Sequence, residues 1–306
     1  MTVAVLYDET GDPGVLRLAE VPDPVAGAGE VVLRVKAVGI NPFDAKVRAG
    51  AILLSAPFPR GIGGDVAGIV VAVGEGASYV DGAPVGVGDE VLGFGSSTLR
   101  GLVAVPAAHL ARRPAALPWA VAGALATPGL TAEASYRVLE PAAGDTVFVS
   151  AAAGSVGFLY GQLALAAGAR VIGSASSANH ERLRAAGIEP VEYGPGLAGR
   201  LRSLAPEGIT AVQDDAGGET VEVALELGVP PERICEIVDH AATERLGLAS
   251  PGRYERRPDI LERLAQQVAG RILSLPVQRE FPLHEVAEAF ALLETRHLSG
   301  KVVVTP

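Results

Sequence analysis

The sequence predicts an α/β protein of two domains. One is a small β barrel or sandwich, and the other is a parallel sheet with helices on both faces. Three observations lead there. The chain has 306 residues, and a domain takes about 150. Residues 1–110 read as short β segments split by Gly and Pro, several of them alternating with period two. Past Pro114 strand-like and helical runs take turns, the pattern of a parallel sheet.

In order along the chain, residues 15–22 (VLRLAEVP) alternate apolar and polar, as do residues 30–38 (EVVLRVKAV). Residues 65–73 (DVAGIVVAV) form a fuller apolar run stopped by GEGAS, and 86–94 (GVGDEVLGF) are a turn and a short strand. Trp119 to Leu139 is Ala-rich and apolar at helical spacing, followed by a turn and strand, GDTVFVSA. From Ser155 to Ala167, Val156, Leu159, Leu163 and Ala166 share one helical face. ARVIGSAS is then a strand, NHERLRAAG a helix closed by Gly187, and PVEY a short strand. ITAVQDDAGG and RICEIVDH add two strands. The end returns to β character in VQREFPL. A helix follows with Leu283, Val286, Ala287, Phe290 and Leu293 on one face, and GKVVVTP closes as a strand.

Composition narrows the function. The chain is 49% hydrophobic and 20% charged, with a net charge of −10. Nucleic acid and anionic membrane both need a basic face, so neither is the expected main partner. A small-molecule substrate is expected instead. The single cysteine, Cys235, permits no internal disulfide and fits a reducing cytoplasm. No signal peptide is expected from MTVAVLYDETGD, and no apolar run approaches the length of about 20 residues that spans a bilayer.

The chemistry-bearing stretch is VFVSAAAGSVG, residues 147–157. A strand feeds a turn and an amphipathic helix leaves it, the context of a dinucleotide fingerprint. A helix N-terminus offers unpaired N–H groups and partial positive charge to a pyrophosphate. Gly154 would admit the ligand to the backbone, and Gly157 would let helix and strand pack closely. Ala152 stands where a first glycine is usual, so the bend is expected without positive φ. The stretch can also be read as a turn that binds nothing. The next strand ends in SASSANHER, residues 174–182. A NAD-selective site places Asp or Glu there. Ser174, Ser176 and Ser177 stand there instead, with Asn179, His180 and Arg182 following, so NADPH is expected over NADH. The serines also suit helix capping. Asp239 lies at the carboxyl end of a predicted strand, where ligands bind in such sheets.

From end to end the chain resembles the medium-chain dehydrogenase/reductase superfamily, in its zinc-independent quinone oxidoreductase (zeta-crystallin-like) branch. The resemblance rests on VGINPFD, GDVAGIVVAVGEG, VGVGDEVLGF, GLTA, AAAGSVG, DDAGG and FPLHEVAEAFALLETRHLSGKVVV, in that order and spacing. It implies a GroES-like barrel domain from residues 1–117 and 270–306, and a Rossmann domain from 118–269 between them. It implies that Asn41, Pro42 and Phe43, with Asp44, line the nicotinamide end of a cleft. Thr131, Ser155, Val156, Tyr193 and Arg296 match residues that contact the cofactor. A homodimer through the sheet edge near RICEIVDH is also implied.

A catalytic zinc needs three protein ligands. Cys235 and the scattered histidines do not supply them by spacing, and no metal is expected. Relatives often carry a tyrosine near position 52, where this chain reads GAILL, and GAYAEY where it reads LRGLVAV. No catalytic acid is therefore assigned. The leading expectation is hydride transfer from NADPH to a quinone or α,β-unsaturated carbonyl compound. Two others stand beside it: a tailoring enzyme such as a cyclase with no net redox step, and a non-enzymatic NADPH sensor. Asp44 is expected either to cap a helix starting at Ala45 or to take part in chemistry.

Overall fold

The structure is a computed structural model describing residues 1–252, 257–295 and 298–306. It divides into two compact units, Met1–Thr127 with Arg256–Pro306, and Pro128–Glu255.

The first unit is built from both ends of the chain. Its larger sheet runs in the order Val277–Pro282, Lys301–Thr305, Glu30–Ile40, Asp65–Val73, Glu90–Phe94, Leu110–Arg112, and Leu102–Pro106 also pairs with Glu30–Ile40. The strand Glu30–Ile40 organises it. Its alternation buries Val31, Leu33 and Val35 in one apolar cluster with Phe281, Phe290 and Val304, and Val38 joins the same cluster past the register shift at Val35/Ala37. Its first half pairs with Leu102–Pro106 and its last residues with the C-terminal strand, both antiparallel. A smaller sheet joins Arg17–Val21, Thr2–Tyr7 and Arg60–Gly61.

The helix Trp119–Leu139 forms over the span its periodicity indicates, with Pro128 inside it. Its first half belongs to the first unit because backbone meets backbone there. A Cβ on Gly39 would lie 2.6 Å from Ala124 Cα, and one on Gly123 would lie 2.4 Å from the Ala37 carbonyl oxygen. The helix Pro258–Ala269 also belongs to this unit. It buries Ile260, Leu261, Leu264 and Ala265 and packs against Leu110–Arg112. Both features move the unit's limits from the expected 117 and 270.

The second unit holds a five-stranded parallel sheet in the order Glu189–Val191, Arg170–Ser174, Thr146–Val149, Ala211–Asp214, Ile234–Glu236. Phe148, Ile172, Val212 and Ile234 form its core with Leu201 and Val221 from the helices Leu197–Leu204 and Glu219–Glu226. The chain lays strands on one side of Thr146–Val149 and then on the other. The carboxyl end of that central strand is therefore the topological switch point, where such sheets bind ligands.

The last strand is shorter than RICEIVDH implied. It ends at Glu236, because the Glu236 carboxylate accepts the backbone N–H groups of Val238 and Asp239 and turns the chain away. Asp239 and His240 then start the helix His240–Leu246. The outer edge is met by the chain itself, with Glu236 N–H donating to the Ala249 carbonyl at 3.0 Å. Among the described residues no helix is long and apolar enough to cross a membrane.

Candidate active site

The strand Thr146–Val149 delivers the chain to Ser150, and the helix Ser155–Ala166 leaves with Gly154 as its N-cap. Between them, Gly154 N–H donates to the Ala151 carbonyl at 2.8 Å and Ala152 N–H to the Ser174 carbonyl at 2.9 Å. The bend does use a positive φ, which corrects the expectation for Ala152. Ala151 takes φ 45°, one residue earlier. A non-glycine residue there stores about 1–2 kcal/mol. The neighbouring strand holds it in place, since the buried Ser174 hydroxyl accepts Ala151 N–H at 3.3 Å. Ser174 thus supports the turn from below.

At the helix head the N–H groups of Ser155, Val156 and Gly157 have no intrahelical carbonyl to meet. A Cβ at Gly154 would meet only the Ala151 carbonyl oxygen, at 3.1 Å, so the approach over this residue is open. A Cβ at Gly157 would meet Asp215 Oδ2 at 2.9 Å and the backbone of Ala151 and Ala152 at 3.0 Å. The two glycines differ in kind. One leaves space and the other brings the helix close to the strand. The turn therefore fits a dinucleotide pyrophosphate, with Gly154, Ser155, Val156 and Gly157 as the residues to hold it.

Around the turn, Ser176 is half-buried and Ser177 exposed, both in the 3₁₀ turn region that precedes the helix His180–Ala185. Tyr193 is exposed, Thr131 is half-buried, and Arg296 lies outside the described residues. The Asp239 carboxylate accepts Ala242 N–H at 2.9 Å, so it caps its own helix. Beneath the turn is a polar cluster around Asp214 and Asp215, residues whose sequence reads only as the turn at a strand end. The Ser150 hydroxyl donates to Asp214 Oδ1 at 2.6 Å and accepts the N–H groups of Asp215 and Ala216 at 2.8 and 3.0 Å. Gln213 Nε2 donates to Asp215 Oδ1 at 2.7 Å. Burial pushes the Asp215 carboxyl up to about 8, and burial with the neighbouring Asp214 pushes Glu236 up to about 7. The signal was available: Glu236 interrupts the apolar run ICEIV.

In the first unit Asn41 caps the helix Pro42–Arg48. Asp44 is its third residue and not its cap, and its carboxylate reaches back to accept Asn41 N–H at 2.8 Å. The Asn41 amide is used internally. Its Nδ2 donates to Asp65 Oδ2 at 3.1 Å and to the Gly39 carbonyl at 3.3 Å. Its Oδ1 accepts from Lys301 Nζ at 2.6 Å. Asp65 Oδ1 accepts the Thr127 N–H and hydroxyl at 3.0 and 2.5 Å. Burial raises both carboxyls, Asp44 to about 7, and lowers the Lys301 ammonium. Pro42 and Phe43 face outward, Phe43 being 57% exposed, so they are the residues of this segment free to meet a ligand. Nearby in sequence Leu53 is 85% exposed, with no hydroxyl in the Ile52–Leu54 stretch. The thiol of Cys235 is buried and pushed up to about 12. Among the described residues no three His, Cys, Asp or Glu side chains are grouped to hold a metal ion.

A β-rich unit made from both chain ends, joined to a parallel sheet whose switch point carries a phosphate-fitting turn, defines a nucleotide-binding α/β protein of two domains. Residues 27–115 match the alcohol dehydrogenase GroES-like domain, and residues 197–304 match the zinc-binding dehydrogenase family. The chain is 30% identical to the chloroplastic NADPH-dependent alkenal/one oxidoreductase of Arabidopsis thaliana, over 99% of this chain and 79% of that one. It is 29% identical to a quinone oxidoreductase of Pseudomonas aeruginosa over the whole of both chains. The mycobacterial protein Rv1454c, solved in complex with NADPH, superposes with a TM-score of 0.86 at 28% identity over 99% of this chain and all of that one. The chain belongs to the medium-chain dehydrogenase/reductase superfamily, with a GroES-like domain and a Rossmann-like parallel sheet. It also matches a segment of much longer proteins, spanning 14% of the spectinabilin polyketide synthase system protein NorB of Streptomyces orinoci at 30% identity.

Proposed function

We propose that the protein is an NADPH-dependent reductase acting on a quinone or an α,β-unsaturated carbonyl compound. The observation that carries this reading is the 151–157 turn, open over Gly154 and lacking a carboxylate at the end of the adjoining strand, Arg170–Ser174. The named activities of the Arabidopsis and Pseudomonas relatives support it. NADPH, when bound, supplies the hydride. The chain's residues bind and orient. The N–H groups at the head of the helix Ser155–Ala166 would hold the pyrophosphate, Ser176 and Ser177 the 2′-phosphate, and Tyr193 and Thr131 are proposed as further contacts. Asn41 fixes the start of the helix Pro42–Arg48 through the Lys301 and Asp65 bonds, which aims Phe43 outward. Asp44 and Asp239 are assigned to helix ends and not to chemistry. No side-chain proton donor is assigned, the Ile52–Leu54 stretch being apolar.

The protein is proposed to work in the cytoplasm as a homodimer, and sedimentation at micromolar concentration tests the second point. The test of function is oxidation of NADPH followed at its absorbance maximum across a panel of quinones and enones. Turnover on either class is expected. Tight NADPH binding with no turnover on any member would refute the reductase reading in favour of a tailoring enzyme or a sensor.

A further inference from the structure

Three carboxyl groups, those of Asp214, Asp215 and Glu236, lie beneath the 151–157 turn, and hydrogen-bond donors are shared unevenly among them. Asp214 Oδ1 accepts the Ser150 hydroxyl at 2.6 Å and the N–H groups of Ala216 and Gly217 at 3.0 Å each. Glu236 Oε1 accepts the N–H groups of Val238 and Asp239. Asp215 receives one bond, from Gln213 Nε2 to Oδ1 at 2.7 Å. Its Oδ2 is buried with no partner among the described residues.

The charges that bear on Asp215 are of its own sign, Asp214 from its own strand end and Glu236 from the next strand. Tyr160 on the helix Ser155–Ala166 and Cys235 on the strand Ile234–Glu236 face it as neutral groups, since burial holds both above their ordinary ranges. The cation that reaches Tyr160, Arg233, bonds to Asp145 and to the Leu139 carbonyl. A carboxylate with one donor, like-charged neighbours and no counter-ion is disfavoured against the neutral acid. Burial, with Asp214 and Glu236 beside it, accordingly pushes Asp215 up to about 8.

Position ties this proton to the ligand. Asp215 Oδ2 is the atom that a Cβ on Gly157 would meet at 2.9 Å, so the carboxyl lies against the first turn of the helix Ser155–Ala166. The free N–H groups of that turn fit a pyrophosphate. An ionised Asp215 and a bound pyrophosphate would face each other across buried protein, where solvent and salt screen weakly. The neutral acid removes the conflict.

We infer that Asp215 makes dinucleotide binding proton-linked, the turn taking up a pyrophosphate together with a proton held on this carboxyl. This rests on the nucleotide-binding reading above and adds its regulation. An anion beside the carboxyl favours the protonated form, so Asp215 keeps its proton to higher pH in the complex than in the free protein. Affinity is therefore constant on the acid side and falls as pH rises through the free-protein value. The ligand's own ionisation lies elsewhere, since a phosphate monoester completes its ionisation near pH 6.

Calorimetric titration of the full chain with NADPH, in buffers of different ionisation heat, measures affinity and proton exchange together. Between about pH 7.5 and about pH 9.5 affinity is expected to fall about tenfold with proton uptake, as for a carboxyl held about one pH unit longer in the complex. NADH, which has the pyrophosphate and lacks the 2′-phosphate, is expected to show the same fall. Asp215→Asn, a neutral group of the same shape, is expected to keep its affinity across the range and to take up no proton. Should that variant not fold, the proton count on the unmodified protein decides alone. Flat affinity without proton uptake in the unmodified protein overturns the inference. A fall that persists in folded Asp215→Asn, or one confined to NADPH, also overturns it. No NADPH binding to folded protein at any pH refutes instead the reading on which it rests.

Discussion

Gly157→Val separates the packing role of the second glycine from any role in binding. The added Cβ would sit 2.9 Å from Asp215 Oδ2 and 3.0 Å from both the Ala151 carbonyl oxygen and Ala152 Cα. Two of these neighbours are backbone, tied down by Gly154 N–H to Ala151 at 2.8 Å and Ala152 N–H to Ser174 at 2.9 Å. The third, Asp215 Oδ2, has no partner of its own, but its carboxylate is tethered through Oδ1 by Gln213 Nε2 at 2.7 Å. The two backbone neighbours cannot give way without straining their hydrogen bonds, and valine adds two methyl groups beyond the Cβ. Overpacking of this kind costs about 1–3 kcal/mol. The helix-propensity gain of valine over glycine returns only a few tenths, roughly 0.3 kcal/mol. A net loss of about 2 kcal/mol is expected. With a urea dependence of about 2 kcal/mol per molar, the unfolding midpoint followed by far-ultraviolet circular dichroism drops by about 1 M. An unchanged midpoint would show that the close approach of helix and strand does not depend on Gly157's missing side chain, and the close-packing argument would fail.

Gly154→Ser should leave that midpoint unchanged or raised, since serine is a good N-cap, while weakening NADPH binding measured by calorimetry; equal affinity would remove the open approach over Gly154. Ser176→Asp should weaken NADPH far more than NADH, because a carboxylate repels the 2′-phosphate; parallel losses would contradict the pocket. Asp215 and Glu236 carry raised values of about 8 and about 7 in the folded chain against ordinary values of 3.8 and 4.5. The folded state therefore binds more protons than the unfolded one, and stability falls as pH rises from about 4 to about 8. Asp215→Asn should reduce that fall between pH 6 and pH 8 in thermal unfolding, and an identical slope would refute the burial argument. Lys301→Met leaves buried Asp65 without its cation and Asn41 Oδ1 without its donor, with a cost of about 3–5 kcal/mol. Adding Asp65→Asn should recover part of it in chemical denaturation, and simple additivity would show the pair is not coupled.

Elements with a clear period were legible. Trp119–Leu139 and Glu30–Ile40 formed where helical spacing and alternation placed them, and Asp65–Val73 where an apolar run did. Thr2–Tyr7 was not read as a strand, because TVAVLY is apolar almost throughout and its burial departs from alternation. The helix Pro258–Ala269 was not read, although Ile260, Leu261, Leu264 and Ala265 lie at helical spacing behind a proline at its start. The position of the glycine turn at residues 151–157 followed from strand, glycine and helix in sequence. The left-handed Ala151 did not, since nothing in an alanine announces φ 45°. The Asn41–Asp65–Lys301 bonds were also hidden, because residues remote in sequence meet only once the C-terminal strand pairs with Glu30–Ile40. Asp239 was misplaced for a local reason: Glu236 consumed the next N–H groups and ended the strand early.

The central claim is a site for NADPH on the turn between Thr146–Val149 and Ser155–Ala166. Calorimetric titration of the unmodified protein with NADPH and with NADH tests it most directly. The account predicts one site per chain, with NADPH bound on the order of tenfold or more tightly through the charged 2′-phosphate contact. Equal affinities, or no binding of either cofactor to folded protein, would contradict it.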